Sequence, residues 1–359
     1  MEHTTHFFLG ANSGSGFCSL FPQFCRPADH RDLLVLKGGP GCGKSTVMAR
    51  LGRAMEELGE EVEYLHCSGD PDSLDGIRIP RLGVAAVDGT APHVVEPRYP
   101  AAVDRYVDLG AFYDLEAAKA RREEIIHWRD ACSAAYRRAY RALSAAREMA
   151  DEAEALTAEG LDGEKLRRRT EGIIRRELRR RGGGGECRRF LGSLTCRGPV
   201  WRFDTVQALC PRIYALVDSA GLAAPMLEQL RRAAAERELR RIVCPDPEHP
   251  DRIHHLLLPE LGLVFVTSRE GMAYDSPAYR RVRVDDMVPA QFYRAHRTRL
   301  RFCRRMAGEL RREGVAALGE AKAAHDALEA VYRPYVDFAG VDALAAREIE
   351  RVKKAQALF

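Results

Sequence analysis

Asp32-Leu-Leu-Val-Leu-Lys-Gly-Gly-Pro-Gly-Cys-Gly-Lys-Ser-Thr46 is the stretch that decides the fold. Leu33–Leu36 is a short apolar run of the kind that forms a buried parallel strand. Gly38, Gly39, Pro40, Gly41, Cys42, Gly43, Lys44 and Ser45 then match GxxxxGK[ST], and Val47–Glu57 reads as the following helix. Strand, glycine-rich loop and helix in that order are the context a phosphate loop requires. Its glycines let consecutive backbone N–H groups turn inward and cradle phosphate oxygens at the positive end of the helix. In that frame Lys44 reaches the β- and γ-phosphates and the Ser45 hydroxyl sits on Mg²⁺, with Thr46 completing the binding segment. The expected ligand is a nucleoside triphosphate.

A magnesium site needs a second ligand, usually an aspartate that ends a neighbouring apolar strand. Gly83-Val-Ala-Ala-Val-Asp88 supplies one. Glu61–His66 reads as another strand and runs into His66-Cys-Ser-Gly-Asp70-Pro-Asp72-Ser-Leu-Asp75. Ligands of such sheets bind at the carboxyl ends of the strands, so Asp70, Asp72, Asp75, Asp88, Thr90 and His93 are all placed to border the nucleotide. For every one of these except Asp88, the plainer alternative is a turn-former or cap. Ser45 and Asp88 are the expected metal ligands. Asp88 is followed by Gly89 rather than by a water-activating glutamate, which leaves Asp70 or Asp75 for that role. The candidate catalytic set is Lys44, Asp88, Asp70 and Asp75. Asn12 is the only asparagine, so no Asn/Thr-Lys-x-Asp guanine reader exists, and ATP is favoured over GTP.

Outward from the loop, the chain repeats itself. Phe8-Leu-Gly10 recurs as Phe190-Leu-Gly192, Pro80-Arg-Leu-Gly83 as Pro259-Glu-Leu-Gly262, and Phe112-Tyr113 as Phe292-Tyr293. At a spacing of 180 (44 to 224), the loop falls on Asp218-Ser-Ala-Gly-Leu-Ala-Ala-Pro225, where Ala224 replaces Lys44, Pro225 replaces Ser45 and Asp218 replaces Gly38. Asp88 falls near Thr267. Both the lysine and the metal ligands are lost, so the second copy is blank. The expected fold class is α/β, with two tandem P-loop NTPase-like three-layer α/β/α domains. Residues 1–181 form the first, 182–185 a glycine linker and 186–359 the second.

Each half carries a helical extension, about 114–181 and about 289–359. In the first, Ile125, Trp128, Cys132, Ala135, Ala139, Leu143, Ala146, Ala150 and Ala153 mark one apolar face of a long helix. A break at Gly160 and Gly163 precedes a second helix over Leu166–Leu178. The second extension reads as three helices, Phe292–Arg312, Val315–Tyr332 and Val341–Ala355. A hairpin packed on its own half is the plainer expectation; a protein partner bound through these arms is the alternative.

Of the 359 residues, 46% are hydrophobic and 30% charged, which excludes a disordered chain. No apolar run approaches the roughly 18 residues of a membrane span, so no membrane association is expected. MEHTTHFF holds no basic segment followed by an apolar core, so no secretory signal is expected. Net charge is +4, from 56 basic and 52 acidic residues, too balanced for a nucleic-acid protein. Only seven of the basic residues are lysine, as GC-rich coding would give. The arginine runs Arg167–Arg169, Arg175–Arg176 and Arg179–Arg181 interleave with Glu164, Glu171 and Glu177, which describes a solvated helix face. Ten cysteines without a CxxC pair support neither zinc nor a disulfide framework. They fit a reducing, cytoplasmic location.

With the loop, HCSGDPDSLDG, VDGTAPH and the duplication in view, the chain resembles an uncharacterised bacterial family of tandem P-loop ATPases. Phe7–Phe17, Gly38–Thr46, His66–Gly76 and Asp88–Asp108 carry the likeness. Members commonly keep both loops, and this chain departs from them at Asp218–Pro225. The resemblance implies ATP binding and hydrolysis without naming a substrate. The leading expectation is a Mg²⁺-dependent ATPase whose turnover drives a conformational change between the halves, with Arg269 or Arg280 of the second half as candidates to cap the site. The alternatives are a nucleotide-gated scaffold with negligible turnover, and a small-molecule kinase in which Asp70 or Asp75 takes a hydroxyl proton.

Overall fold

The computed structural model describes residues 4–179, 181–269 and 271–356. Residues 1–3 of the leading stretch and Arg180 of the last arginine run lie outside the described residues.

The first half runs β1 (Thr5–Phe8), β2 (Gly10–Ser13), β3 (Gly16–Ser19), α1 (Phe21–Phe24), β4 (Asp32–Lys37), α2 (Lys44–Glu56), β5 (Glu63–His66), β6 (Leu74–Ile79), β7 (Val84–Asp88) and β8 (Asp104–Asp108). Helices α3 (Leu115–Ala120), α4 (Arg122–Ala158) and α5 (Gly163–Glu177) follow. The second half repeats the plan with β9 (Glu186–Arg188), β10 (Gly192–Thr195), β11 (Gly198–Trp201), α6 (Phe203–Leu209), β12 (Arg212–Val217), α7 (Ala224–Glu236), β13 (Arg241–Pro245), β14 (Ile253–Leu258), β15 (Leu263–Ser268) and β16 (Arg280–Arg283). It closes with α8 (Ala290–Ala295), α9 (Arg297–Tyr332) and α10 (Phe338–Gln356).

The protein is mixed α/β with two mixed six-stranded sheets. Their strand orders, β1-β5-β6-β7-β4-β8 and β9-β13-β14-β15-β12-β16, are the same order repeated. In each sheet one strand, β6 or β14, runs antiparallel to both neighbours, and the remaining pairs are parallel. The halves meet across an approximate two-fold axis. Phe8 N donates to Phe190 O and Phe190 N to Phe8 O, both at 2.9 Å. Because Phe190 is the repeat of Phe8, the contact is self-complementary, as a two-fold interface demands.

The layers differ from two separate three-layer units. Helices α2 and α10 cover the outer face of the first sheet, and α7 and α5 that of the second. The inner faces share one core, in which Leu33, Val35 and Val87 of one sheet join Ile213, Ala215 and Val266 of the other through Phe8, Phe190, Phe21 and Val206.

The helical extensions correct the expectation of hairpins packed on their own halves. Helix α4 has 37 residues and spans about 55 Å at 1.5 Å per residue. It therefore carries the chain across the molecule. Leu166 and Ile173 of α5 pack with Met226, Leu227 and Leu230 of the second half. Val341, Ala345 and Val352 of α10 pack with Val47, Met48 and Leu51 of the first. Each half thus lends its last helix to the other. The apolar face of α4 finds its partner within the chain: Cys132, Ala135 and Ala139 meet Ala324, Ala321 and Ala317 of an antiparallel α9. Small residues let the backbones approach closely. Helix α9 is continuous rather than broken after Arg312, because Gly314 sits inside this contact. A Cβ there would lie 2.6 Å from the Leu143 side chain.

Candidate functional site

The loop from Gly38 to Gly43 joins the carboxyl end of β4 to the first turn of α2. It has the backbone its glycines permit: Gly38, Gly41 and Gly43 have φ of 155°, 74° and 91°. A Cβ at Gly38 would lie 2.6 Å from the Cys42 sulfur. Lys44 folds back over the loop, its Nζ donating to Gly38 O at 2.9 Å and Gly39 O at 3.0 Å, and lies 3.6 Å from Asp88 Oδ2. Pro40 O accepts from the Tyr113 hydroxyl at 2.7 Å. Burial pushes the Cys42 thiol up, so it lines the loop as a neutral group. Thr46 is exposed at the start of α2.

Ser45 Oγ accepts from Leu74 N at 3.0 Å, which keeps a lone pair and its own proton available. Asp88 ends β7 beside β4, where Leu36 pairs with it. Its Oδ1 accepts from Thr90 N at 2.8 Å and Thr90 Oγ1 at 2.5 Å, leaving Oδ2 toward Lys44. Thr90 therefore orients Asp88. Ser45 and Asp88 each offer a hard oxygen of the kind Mg²⁺ takes, although Asp88 Oδ2 here faces Lys44.

Strand β6, which directly follows the acidic stretch, places Asp75. Gly76 pairs with Val87, so Asp75 lies next to Asp88 across the sheet. Asp75 is buried; burial pushes its carboxyl up, and the Asp88 charge adds to the rise against the opposing effects of His93 and Lys44. His93 is buried as well, stacked on Phe21 at 4.4 Å between ring centres, with Nε2 3.9 Å from Asp75 Oδ1 and neither ring nitrogen in a hydrogen bond. Asp70 turns out to be the turn-former: its Oδ1 accepts from Asp72 N at 3.2 Å and its Oδ2 from Ser73 Oγ at 3.1 Å. It also pairs with Lys322 of α9 at 3.4 Å. Asp72 pairs with Arg197 of the second half.

Residues of α9 reach this site unannounced by the sequence. Gly41 N donates to Glu329 Oε1 at 3.2 Å. His325, Asp326 and Glu329 offer ligand atoms within 4.8 Å of one another, although Asp326 is engaged by Lys322. The only signal that could have found Glu329 is the repeat itself, since Glu154 holds the matching place on α4.

In the second half, the Asp218 carboxylate accepts Leu222 N at 2.8 Å and Ala223 N at 2.7 Å, and is buried. A side chain thus occupies two of the N–H groups of that loop. Thr267, at the place of Asp88, donates its hydroxyl to His254 O at 2.6 Å. Arg269 stays in its own half, 3.2 Å from Asp246 and 3.6 Å from Glu248, and Arg280 lies on the edge strand β16 of that sheet. Neither caps the first loop. Asn12 is structural: its amide donates to Ser68 O at 3.1 Å and Leu194 O at 2.8 Å, bridging the halves. No helix among the described residues is long and apolar enough to cross a membrane. All ten cysteines are free thiols. No family model, no curated protein and no solved structure matches this chain.

Proposed function

We propose that Gly38–Thr46 is a phosphate loop, that it binds one ATP with Mg²⁺, and that the protein is a P-loop ATPase with a blank second copy. The observation that carries this reading is Lys44 beside Asp88 over a glycine loop at the ends of β4 and β7, against Asp218 bonding two N–H groups of the corresponding loop in the other half. The resemblance to tandem P-loop ATPases, and the P-loop NTPase-like character of both halves, belong to this proposal.

Lys44 leaves the Gly38 and Gly39 carbonyls for phosphate oxygens, and the loop N–H groups stabilise the charge that develops on the γ-phosphoryl group. Ser45 Oγ and Asp88 Oδ2 are the oxygens that would hold Mg²⁺, which would neutralise part of that charge when bound. A water-activating carboxylate is less well provided. Asp75 is near Asp88 but buried, and burial favours its neutral form. That observation favours slow turnover and keeps a nucleotide-gated scaffold as the second reading.

Phosphate release from Mg-ATP separates the two. Steady turnover that Lys44→Ala and Asp88→Ala both abolish supports the ATPase. Nucleotide binding without release above background supports the scaffold.

A further inference from the structure

We infer that Glu329 is a reversible occupant of the first loop, so that an entering triphosphate must displace its carboxylate from the Gly41 N–H. This rests on the reading of Gly38–Thr46 as a phosphate loop.

The Gly41 N–H is one of the groups that such a loop turns toward phosphate oxygens, and here it bonds the Glu329 carboxylate at 3.2 Å. The helix presses closely: a Cβ at Gly41 would lie 3.3 Å from Glu329 O, and one at Gly43 3.5 Å from Val341 of α10. Tyr332, the last residue of α9, packs on Tyr113, whose hydroxyl holds Pro40 O. The end of α9 and the start of α10 therefore lie along the loop from Pro40 to Gly43.

In the blank half the counterpart glutamate lies beside the loop but is held elsewhere. Glu154 is the counterpart of Glu329 (both shift by 175, as Ala139 does to Gly314), and it faces Gly221, the counterpart of Gly41. A Cβ at Gly221 would lie 2.5 Å from Glu154 Oε2. Glu154 is held by an ion pair to Arg252, and the Leu222 and Ala223 N–H groups of the loop there are taken by its own buried Asp218. At the first loop, Gly38 stands where Asp218 would be. Glu329 makes one long bond, its side chain is 42% exposed, and its other close partner is His325 at 3.8 Å. One end of the paired helices is fixed and the other can yield. A triphosphate competes for the Gly41 N–H and repels the carboxylate.

The test is equilibrium binding of Mg-ATP to the full chain by calorimetry, with Glu329→Gln, the matched control Glu154→Gln, and Lys44→Ala. Glu329→Gln removes the repelling charge at an exposed position and is expected to bind about three- to tenfold more tightly than the wild type. Glu154→Gln is expected to bind as the wild type does, and circular dichroism verifies that each variant folds. Unchanged or weaker binding by Glu329→Gln, with binding still lost in Lys44→Ala, overturns the inference and leaves the nucleotide site standing. Absence of Lys44-dependent binding in every variant overturns the loop reading and the inference with it.

Discussion

Arg189 and Glu63 form the buried ion pair that ties the halves together, and breaking it has a calculable cost. Arg189 Nε donates to Glu63 Oε1 at 2.5 Å and Nη2 to Oε2 at 3.2 Å, and both side chains are buried. The guanidinium also lies over the Phe24 ring at 4.8 Å. Removing one partner leaves an uncompensated buried charge, which costs about 3–5 kcal/mol. Arg189→Met is expected near the lower end, because Arg78 remains 4.0 Å from Glu63. Glu63→Gln is expected higher, since Arg189 cannot lose its proton. The double variant Glu63→Leu/Arg189→Met replaces the pair by apolar groups and is expected within about 1 kcal/mol of the wild type. Burial pushes the Glu63 carboxyl up, but the Arg189 charge and hydrogen bonds outweigh it and hold the group below its usual range. A depressed folded pKa gives stability that is present above the unfolded value, about 4.3, and is lost as pH falls through the folded value. Urea unfolding by circular dichroism at pH 7 and at stepwise lower pH reads both effects. If Arg189→Met unfolds within about 0.5 kcal/mol of the wild type at pH 7, or the double variant is as unstable as the two singles summed, the pair does not act as described.

Three further expectations concern the site and its scaffold. Asp88→Asn is expected to remove the Mg²⁺ enhancement of nucleotide binding while leaving affinity in EDTA within about twofold, since one hard ligand is lost while the loop glycines and Lys44 are kept; titrations with and without the metal read this. Cys25, whose thiol burial pushes up to about 12, is expected to resist iodoacetamide at pH 8 in the folded protein and to react in urea, as peptide mapping will show. Gly314→Val forces a side chain into Leu143 and is expected to cost about 1–3 kcal/mol in urea unfolding.

The site was legible where chemistry fixes residue types over a few consecutive positions. A phosphate loop needs its glycines, lysine and serine at set spacing, so the sequence alone marks Gly38–Ser45 as the candidate loop. Asp88 followed because an apolar strand had to present a carboxylate beside β4. The duplication was legible because both copies keep Phe8-Leu-Gly10 and Phe190-Leu-Gly192 at the two-fold axis, where one residue type must satisfy the same contact twice. Strand β6 was hidden because Leu-Asp-Gly-Ile-Arg-Ile shows little β alternation, and its Asp75 reads as part of the preceding acidic turn. The exchange of α5 and α10 was hidden for another reason. A stripe of alanines states that a helix buries one face, but is equally suited to any close neighbour. Gly314 looked like a break and serves as a point of close approach. Glu329 lies hundreds of residues from Gly41, and only the tertiary fold brings them together.

Calorimetric titration of the full chain with Mg-ATP, beside Lys44→Ala, tests the central claim most directly. The account predicts one ATP per chain in the wild type. It predicts binding weaker by roughly tenfold to a hundredfold or more in Lys44→Ala, because a charged hydrogen-bond donor to phosphate is lost. Two ATP molecules per chain, or equal affinity in the wild type and Lys44→Ala, would contradict it.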